Sequence, residues 1–288
     1  MLIWKKGNTF ETIGGGEGEA KVIEQAIAVL EFGKKQFVEI DLSGASGRET
    51  QGICGGWMQI WLERWSSHEL PFVKVILDRL QSGQSVTLAT PFDADRSPHL
   101  LDDPLLNNQC DRAFVETLQP SPMLLIVGAG HVGEQLAKIA NLAGFQILVQ
   151  DDRPAWANAQ RYPQAAQIFA ESIEAAIDRL ADYSQLYAAL VTRGYQHDLA
   201  ALNLLISRQK PCCYIGMIGS KKRVKQVIQA IEKSGADAAK LRSIYAPIGL
   251  DIGALTPEEI AVSIVAELIL VRRGGTGRSL SHRLGLSE

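Results

Sequence analysis

The chain has 288 residues, 46% of them hydrophobic and 21% charged, which excludes a disordered or collagen-like polymer and leaves room for two domains. Its formal net charge of −3 argues against a nucleic-acid-binding surface. The four cysteines, Cys54, Cys110, Cys212 and Cys213, form no C-x-x-C pair and no His cluster accompanies them, so a zinc site and a disulfide scaffold are both disfavoured and a reducing, cytoplasmic setting is expected.

In chain order, Met1 to Phe10 lacks the apolar run of a signal peptide. Val22, Ile23, Ala26, Ile27 and Leu30 recur at helical spacing and predict a helix over Glu19–Phe32, stopped by Gly33. Phe37–Leu42 alternates and predicts a strand, as does a stretch within Cys54–Trp65. Pro71–Gln81 reads as a helix and Val86–Thr90 as a short strand. Pro91, Pro98, Pro104, Pro120 and Pro122, set among Asp and Asn, predict an irregular linker over 93–122, with a short strand near Ala113–Leu118 and a domain boundary near Gln119.

From Met123 the rhythm is strand, helix, strand, helix. Strands are expected at Met123–Val127, Phe145–Gln150, Leu186–Thr192 and Cys212–Ile215. Helices are expected at Gly133–Ala143, Ile173–Leu180, Asp198–Ser207 and Lys221–Lys233. Thr256-Pro257-Glu258-Glu259 carries the pattern of a capping box and starts a helix running to about Val271. No stretch approaches the roughly 18 apolar residues of a membrane span. The expected fold is α/β: a smaller N-terminal α/β domain over 1–92, the linker over 93–122, a Rossmann-like parallel sheet over 123–271, and a basic, Gly- and Ser-rich tail over 272–288.

The strongest mechanical signal is Gly128-Ala129-Gly130-His131-Val132-Gly133, placed between a predicted strand and a predicted helix. Gly128 suits the tight turn, Gly130 close approach of a pyrophosphate, and Gly133 the packing of helix on strand. Asp151 follows at the end of the second strand, where a carboxylate holds ribose hydroxyls; Arg153 beside it is suited instead to a 2′-phosphate. His131 reads either as a half-exposed residue at a helix start or as a ligand contact. His197 and Asp198 read either as lining for the ligand loops or, for Asp198, as a helix cap. Gly216 to Ser220, with Gly219 and Ser220 leading into Lys221-Lys222-Arg223, suits an anion or a plain turn with a solvated basic face. Gly14, Gly15 and Gly16 expose backbone N–H groups or form a flexible turn. Cys54, before Gly55 and Gly56, reads on its residues alone as a small buried cysteine.

These motifs resemble those of the xanthine dehydrogenase accessory factor family, XdhC/CoxI. Thr12 to Gly16 with Glu19 matches its TIGGG-x-x-E element, and Cys54-Gly55-Gly56 with Glu63 its CGG segment. Gly128 to Gly133 with Asp151-Asp152-Arg153-Pro154 matches its Rossmann half, and Tyr214 to Lys221 its YIG-x-x-GS element. Pro247 to Gly253 followed by Thr256 to Ile264 is the most specific match. The resemblance implies a factor that binds a molybdopterin-type molybdenum cofactor, protects it during sulfuration, and delivers it to an apo-molybdoenzyme of the xanthine dehydrogenase family. A cysteine desulfurase would supply the sulfur, and a homodimer is implied. Cys54 and the two glycine loops would approach the pterin or the molybdenum. The Rossmann pocket, with Gly128, Gly130, His131, Gly133, Asp151, Asp152, Arg153, His197, Gly219 and Ser220, would take the phosphate or nucleotide end, or a separate NAD(P). The family pattern carries a further glycine-bearing segment before TIGGG, so either the start is wrongly placed or the first domain is a shortened one. It also carries a His after the strand ending at Thr192, where this chain has Arg193. The rival readings are an NAD(P)-dependent oxidoreductase and a nucleotide-binding regulatory module; no proton-donor set at recognisable spacing supports the first.

Overall fold

A computed structural model describes residues 1–41, 56–101 and 112–281. It divides into two units, Met1–Gln119 and Pro120–Glu288.

The N-terminal unit opens with an antiparallel pair absent from the sequence expectations, β1 (Leu2–Trp4) and β2 (Asn8–Phe10), three residues each and largely exposed. Such short strands carry too few alternations to be read from pattern. Helix α1 (Gly16–Phe32) starts three residues before the expected position and ends on Gly33 in the left-handed conformation, φ 72°. Its face of Val22, Ala26 and Val29 packs with Val38, Ile40 and Leu62 of the antiparallel pair β3 (Gln36–Asp41) and β4 (Trp57–Leu62). Helix α2 (Leu70–Gln81) precedes β5 (Val86–Pro91). The segment read as an irregular linker contains β6 (His99–Leu101) as well as β7 (Ala113–Leu118), and the two flank β5 in an antiparallel sheet. Of its prolines, Pro91 ends β5, and Pro98, Pro120 and Pro122 stand outside the strands, where no ladder hydrogen bond is lost; Pro104 lies outside the described residues.

The C-terminal unit is a five-stranded parallel sheet. Its strands are β8 (Met123–Val127), β9 (Gln146–Gln150), β10 (Ala165–Phe169), β11 (Leu186–Leu190) and β12 (Tyr214–Met217), in the order β10-β9-β8-β11-β12. Leu124, Leu125, Ile126 and all of β11 are buried, the continuous apolar run expected when both faces are covered. Helix α3 (His131–Leu142) and helix α8 (Pro257–Arg273) cover one face, and α8 packs along α3. The other face carries α4 (Ile173–Arg179), α5 (Tyr195–Ile206), α6 (Lys221–Lys233) and α7 (Ala238–Arg242). Several expected boundaries move, the start of α3 to His131 and the end of β11 to Leu190 among them, and two change the role of a residue. The last strand is Tyr214–Met217 rather than Cys212–Ile215, because Tyr214 registers opposite Tyr187 and stacks with Tyr187 and Tyr245. Helix α5 begins at Tyr195, which places Asp198 inside its first turn instead of at its cap. The tail is not wholly free of α8, which runs to Arg273 before Gly274 ends it at φ 69°. No described helix is long and apolar enough to cross a membrane.

After β10 the chain passes to the far side of β8 and forms β11. The strand order therefore reverses between β8 and β11, and a crevice opens at their carboxyl ends, the place where open parallel sheets bind ligands.

Candidate functional site at the switch point

The glycine loop enters this crevice from β8. Gly128 has φ 106°, and a Cβ there would lie 2.7 Å from the Val191 carbonyl oxygen, so only glycine lets the loop pass the end of β11. A Cβ on Gly133 would overlap the Gly128 carbonyl oxygen, so α3 closes on the loop at a distance only glycine permits. Gly130 differs. It is the N-cap of α3, no side chain caps the helix start, and a Cβ built on it meets nothing within 4 Å. The loop is therefore tight on its inner side and open on its outer one. His131 is exposed in the first turn, its ring edge-on to Trp156 at 5.8 Å.

At the end of β9, Asp151 is 4% exposed. Its carboxylate accepts from the Ala129 N–H (2.9 Å) of the glycine loop, from the Arg153 N–H (3.1 Å), and from Arg153 Nε (2.7 Å) and Nη2 (2.8 Å). Arg193 Nη1 reaches the same Oδ1 at 3.5 Å. Burial opposes the charge, but the Arg153 and backbone hydrogen bonds win and hold the carboxyl at about 2. Asp152 takes a two-point grip from Arg193, Nη1 at 2.7 Å and Nη2 at 2.9 Å, which lowers its pKa. Trp156 carries the Arg153 guanidinium 4.8 Å from its ring centre and the Arg161 guanidinium 4.6 Å away. Arg161 in turn pairs with Glu134 of α3 at 2.7 Å.

A cavity of about 190 Å³ lies against this cluster, walled by Gly128, Asp151, Asp152, Thr192, Arg193 and His197 together with the first turn of α4. His197 is half-buried there. Asp198 has no exposed surface: it accepts from the Thr192 hydroxyl (2.6 Å) and from Arg223 Nε (2.6 Å). Burial pushes its carboxyl above the usual carboxylate range in spite of these bonds. The expected helix cap is thus a buried bracket that ties the ends of β11 and α6 together. Ser220 caps α6, accepting from the Arg223 N–H at 3.3 Å, and Gly219 rests against the Arg223 side chain. Of the basic first turn, Arg223 points inward, and Lys221 and Lys222 stay exposed.

The N-terminal glycine loop belongs to the other unit. Gly14, Gly15 and Gly16 all have positive φ (123°, 74° and 74°). The Gly14 and Gly15 N–H groups are not left open as a cradle. Glu19 accepts from the Thr12 hydroxyl, from the Ile13 N–H at 3.0 Å and from the Gly15 N–H at 3.2 Å, and the Gly14 N–H donates to Thr12 Oγ1 at 3.0 Å. The TIGGG-x-x-E spacing is thus a loop organised by its own carboxylate. Gly56 has φ 125° with open space around it, and Cys54 and Gly55 lie outside the described residues.

The structure brings together Gly128, Asp151, Asp152 and His197 at one cavity, with Gly130, His131 and Arg153 beside it. Sequence reasoning missed Arg193 and Arg223 as partners of these groups. It also missed Glu267, which is 7% exposed and accepts from the Tyr214 hydroxyl (2.5 Å) and the Gly249 N–H (2.9 Å). Those bonds pin the Pro247–Gly253 segment to α8, and Ser263 adds a hydrogen bond to the Leu250 carbonyl at 2.6 Å. A glutamate in the middle of an apolar helix face was the available signal for Glu267.

Comparison with known proteins follows the same outline. The model of the XdhC Rossmann domain matches residues 124–268, and that of the XdhC and CoxI family matches residues 1–41. A Bacillus subtilis protein, named as a probable subunit of xanthine dehydrogenase, is 29% identical over 301 aligned residues, spanning 95% of this chain and 87% of that protein. The uncharacterized protein YqeB of Escherichia coli is 26% identical, with 96% of this chain aligned to 41% of that longer protein. The crystal structure of a xanthine dehydrogenase from Bacillus halodurans superposes with a TM-score of 0.82 at 25% identity, covering 98% of this chain and 88% of that one.

Proposed function

Because the chain belongs to the XdhC family, we propose that it is an accessory factor for a xanthine dehydrogenase-type molybdoenzyme, which binds the molybdenum cofactor, shields it while its sulfido ligand is installed, and hands it to the apo-enzyme. The observation that carries the binding step is the crevice at the switch point. Its loop is closed on the inside by Gly128 and Gly133 and open on the outside at Gly130, in front of an uncapped helix N-terminus. That arrangement suits a phosphate, which accepts hydrogen bonds from free backbone N–H groups and is favoured by the helix dipole. The residues present therefore fit the phosphate end of a pterin cofactor.

In this reading Gly130 and the first turn of α3 hold the anion. Arg153 and His131 border it, and Asp151 keeps the loop rigid through the Ala129 N–H. Asp198 and Arg223 fix the opposite wall. The bound group supplies the molybdenum chemistry to the client, and the chain's own task is to hold, orient and exclude water. Cys54 is the residue for contact with the molybdenum or for receiving sulfur from a cysteine desulfurase, since a thiolate is a soft ligand. The same strand order and loop also suit a dinucleotide, and an NAD(P)-dependent oxidoreductase is the second reading.

Activation of a purified apo-client separates the two. Wild-type chain loaded in a cofactor-producing host should restore client activity, and Cys54→Ser should fold normally and restore markedly less. Equal activation by both proteins would remove Cys54 from the site. Failure of the wild type to activate, together with substrate-dependent oxidation of NADPH or NADH, would favour the oxidoreductase.

A further inference from the structure

We propose, building on the ligand crevice assigned above, that the end of β9 selects a phosphomonoester over a ribose diol, with Arg153 and Arg193 as the donors. A diol needs a carboxylate with lone pairs to spare, and Asp151 has none. A carboxylate offers about four acceptor sites. Those of Asp151 are met by the Ala129 N–H, the Arg153 N–H, two Arg153 side-chain nitrogens and, at 3.5 Å, Arg193. Its 4% exposure leaves it little surface on the cavity that it walls. The position that would read ribose hydroxyls is spent on bracing the glycine loop.

The free hydrogen-bonding capacity at this point is on guanidinium. Arg153 uses Nε and Nη2 on Asp151, and Arg193 uses Nη1 and Nη2 on Asp152. Arg153 Nη1 and Arg193 Nε have no partner among the described residues. Both side chains are substantially exposed, 35% and 40%. Trp156 holds the plane of the Arg153 fork. Two guanidinium groups converging on one oxygen, with donors left over, match the geometry of a phosphate. Two exposed carboxylates, Asp152 and Glu174, line the cavity, and Arg193 grips both oxygens of Asp152. The phosphomonoester has two chemical sources, the 2′-phosphate of a dinucleotide and the terminal phosphate of a pterin, which Arg153 would share with the α3 helix start that it borders.

The test uses ligand pairs that differ by that one phosphate, titrated calorimetrically against the full chain: 2′,5′-ADP against 5′-ADP, and dihydroneopterin monophosphate against dihydroneopterin. The phosphorylated member of at least one pair should bind about tenfold or more tightly, the size of a charge-assisted hydrogen bond, and the pair that responds identifies the source. Arg153→Ala should abolish the preference and, by releasing Asp151, improve binding of 5′-ADP. Asp152→Asn should sharpen the preference. If Arg153→Ala does not fold, Arg193→Gln carries the same test. A preference that survives unchanged in Arg153→Ala and Arg193→Gln would overturn the assignment to these arginines and leave the crevice reading standing, and equal affinity within both pairs would overturn the phosphate selection itself. Absence of binding by all four ligands would overturn both.

Discussion

Gly130 and Gly133 lie three residues apart and are limited by opposite things. At Gly133 the limit is internal, since an added Cβ would overlap the Gly128 backbone. Gly133→Ala should therefore lower stability by about 1–3 kcal/mol, the usual cost of overpacking, read as a fall in thermal midpoint. At Gly130 the limit is the ligand: the backbone is extended, at φ −77°, and a Cβ has open space. Gly130→Val should melt close to wild type and lose affinity for phosphate-bearing ligands. Equal stability of the two variants would contradict this division. Asp151 adds a pH dependence. Its folded-state carboxyl titrates at about 2, below the ordinary 3.8, so its stabilisation is complete above that ordinary value and is lost as pH falls from about 4 through about 2. The amount is about 2 kcal/mol. Asp151→Asn should flatten that part of the stability-against-pH curve, and an unchanged acid limb would show that Asp151 does not anchor the loop.

At the scale of elements, α8 is held at its start by a capping box and along its length by Glu267. Thr256 accepts from the Glu259 N–H at 3.3 Å and Glu259 accepts from the Thr256 N–H at 3.1 Å. Thr256→Ala should cost about 1 kcal/mol in chemical denaturation. Glu267→Leu should cost more, about 2–4 kcal/mol, because the buried Tyr214 hydroxyl and the Gly249 N–H both lose their acceptor. The capping box was legible in the sequence because its parts are three residues apart. Glu267 was not, because its partner Tyr214 is 53 residues away. The same contrast runs through the fold. The unit β8–α3–β9 was readable from apolar runs around a glycine loop. β10, with the burial sequence half-buried, exposed, exposed, half-buried, buried, lies at the sheet edge and has no clean alternation to read. At the site, the glycines and Asp151 were readable as a motif. Arg153 stands beside Asp151 in the sequence, but Arg193, 42 residues away, meets it only because β9 and β11 stand on either side of β8.

At the scale of the whole molecule, each unit has its own apolar clusters: those of α1 and α2 within Met1–Gln119, and the two faces of the parallel sheet within Pro120–Glu288. The most direct test of the central claim is the pterin and molybdenum content of chain purified from a cofactor-producing host, with the pterin oxidised to its fluorescent form and metal counted in the same sample. The wild type should carry both in matching amounts, and Gly130→Val, folded, should carry neither. A wild-type chain free of pterin and molybdenum under conditions where the host's molybdoenzymes are loaded, or a Gly130→Val variant loaded as fully as wild type, would contradict the account.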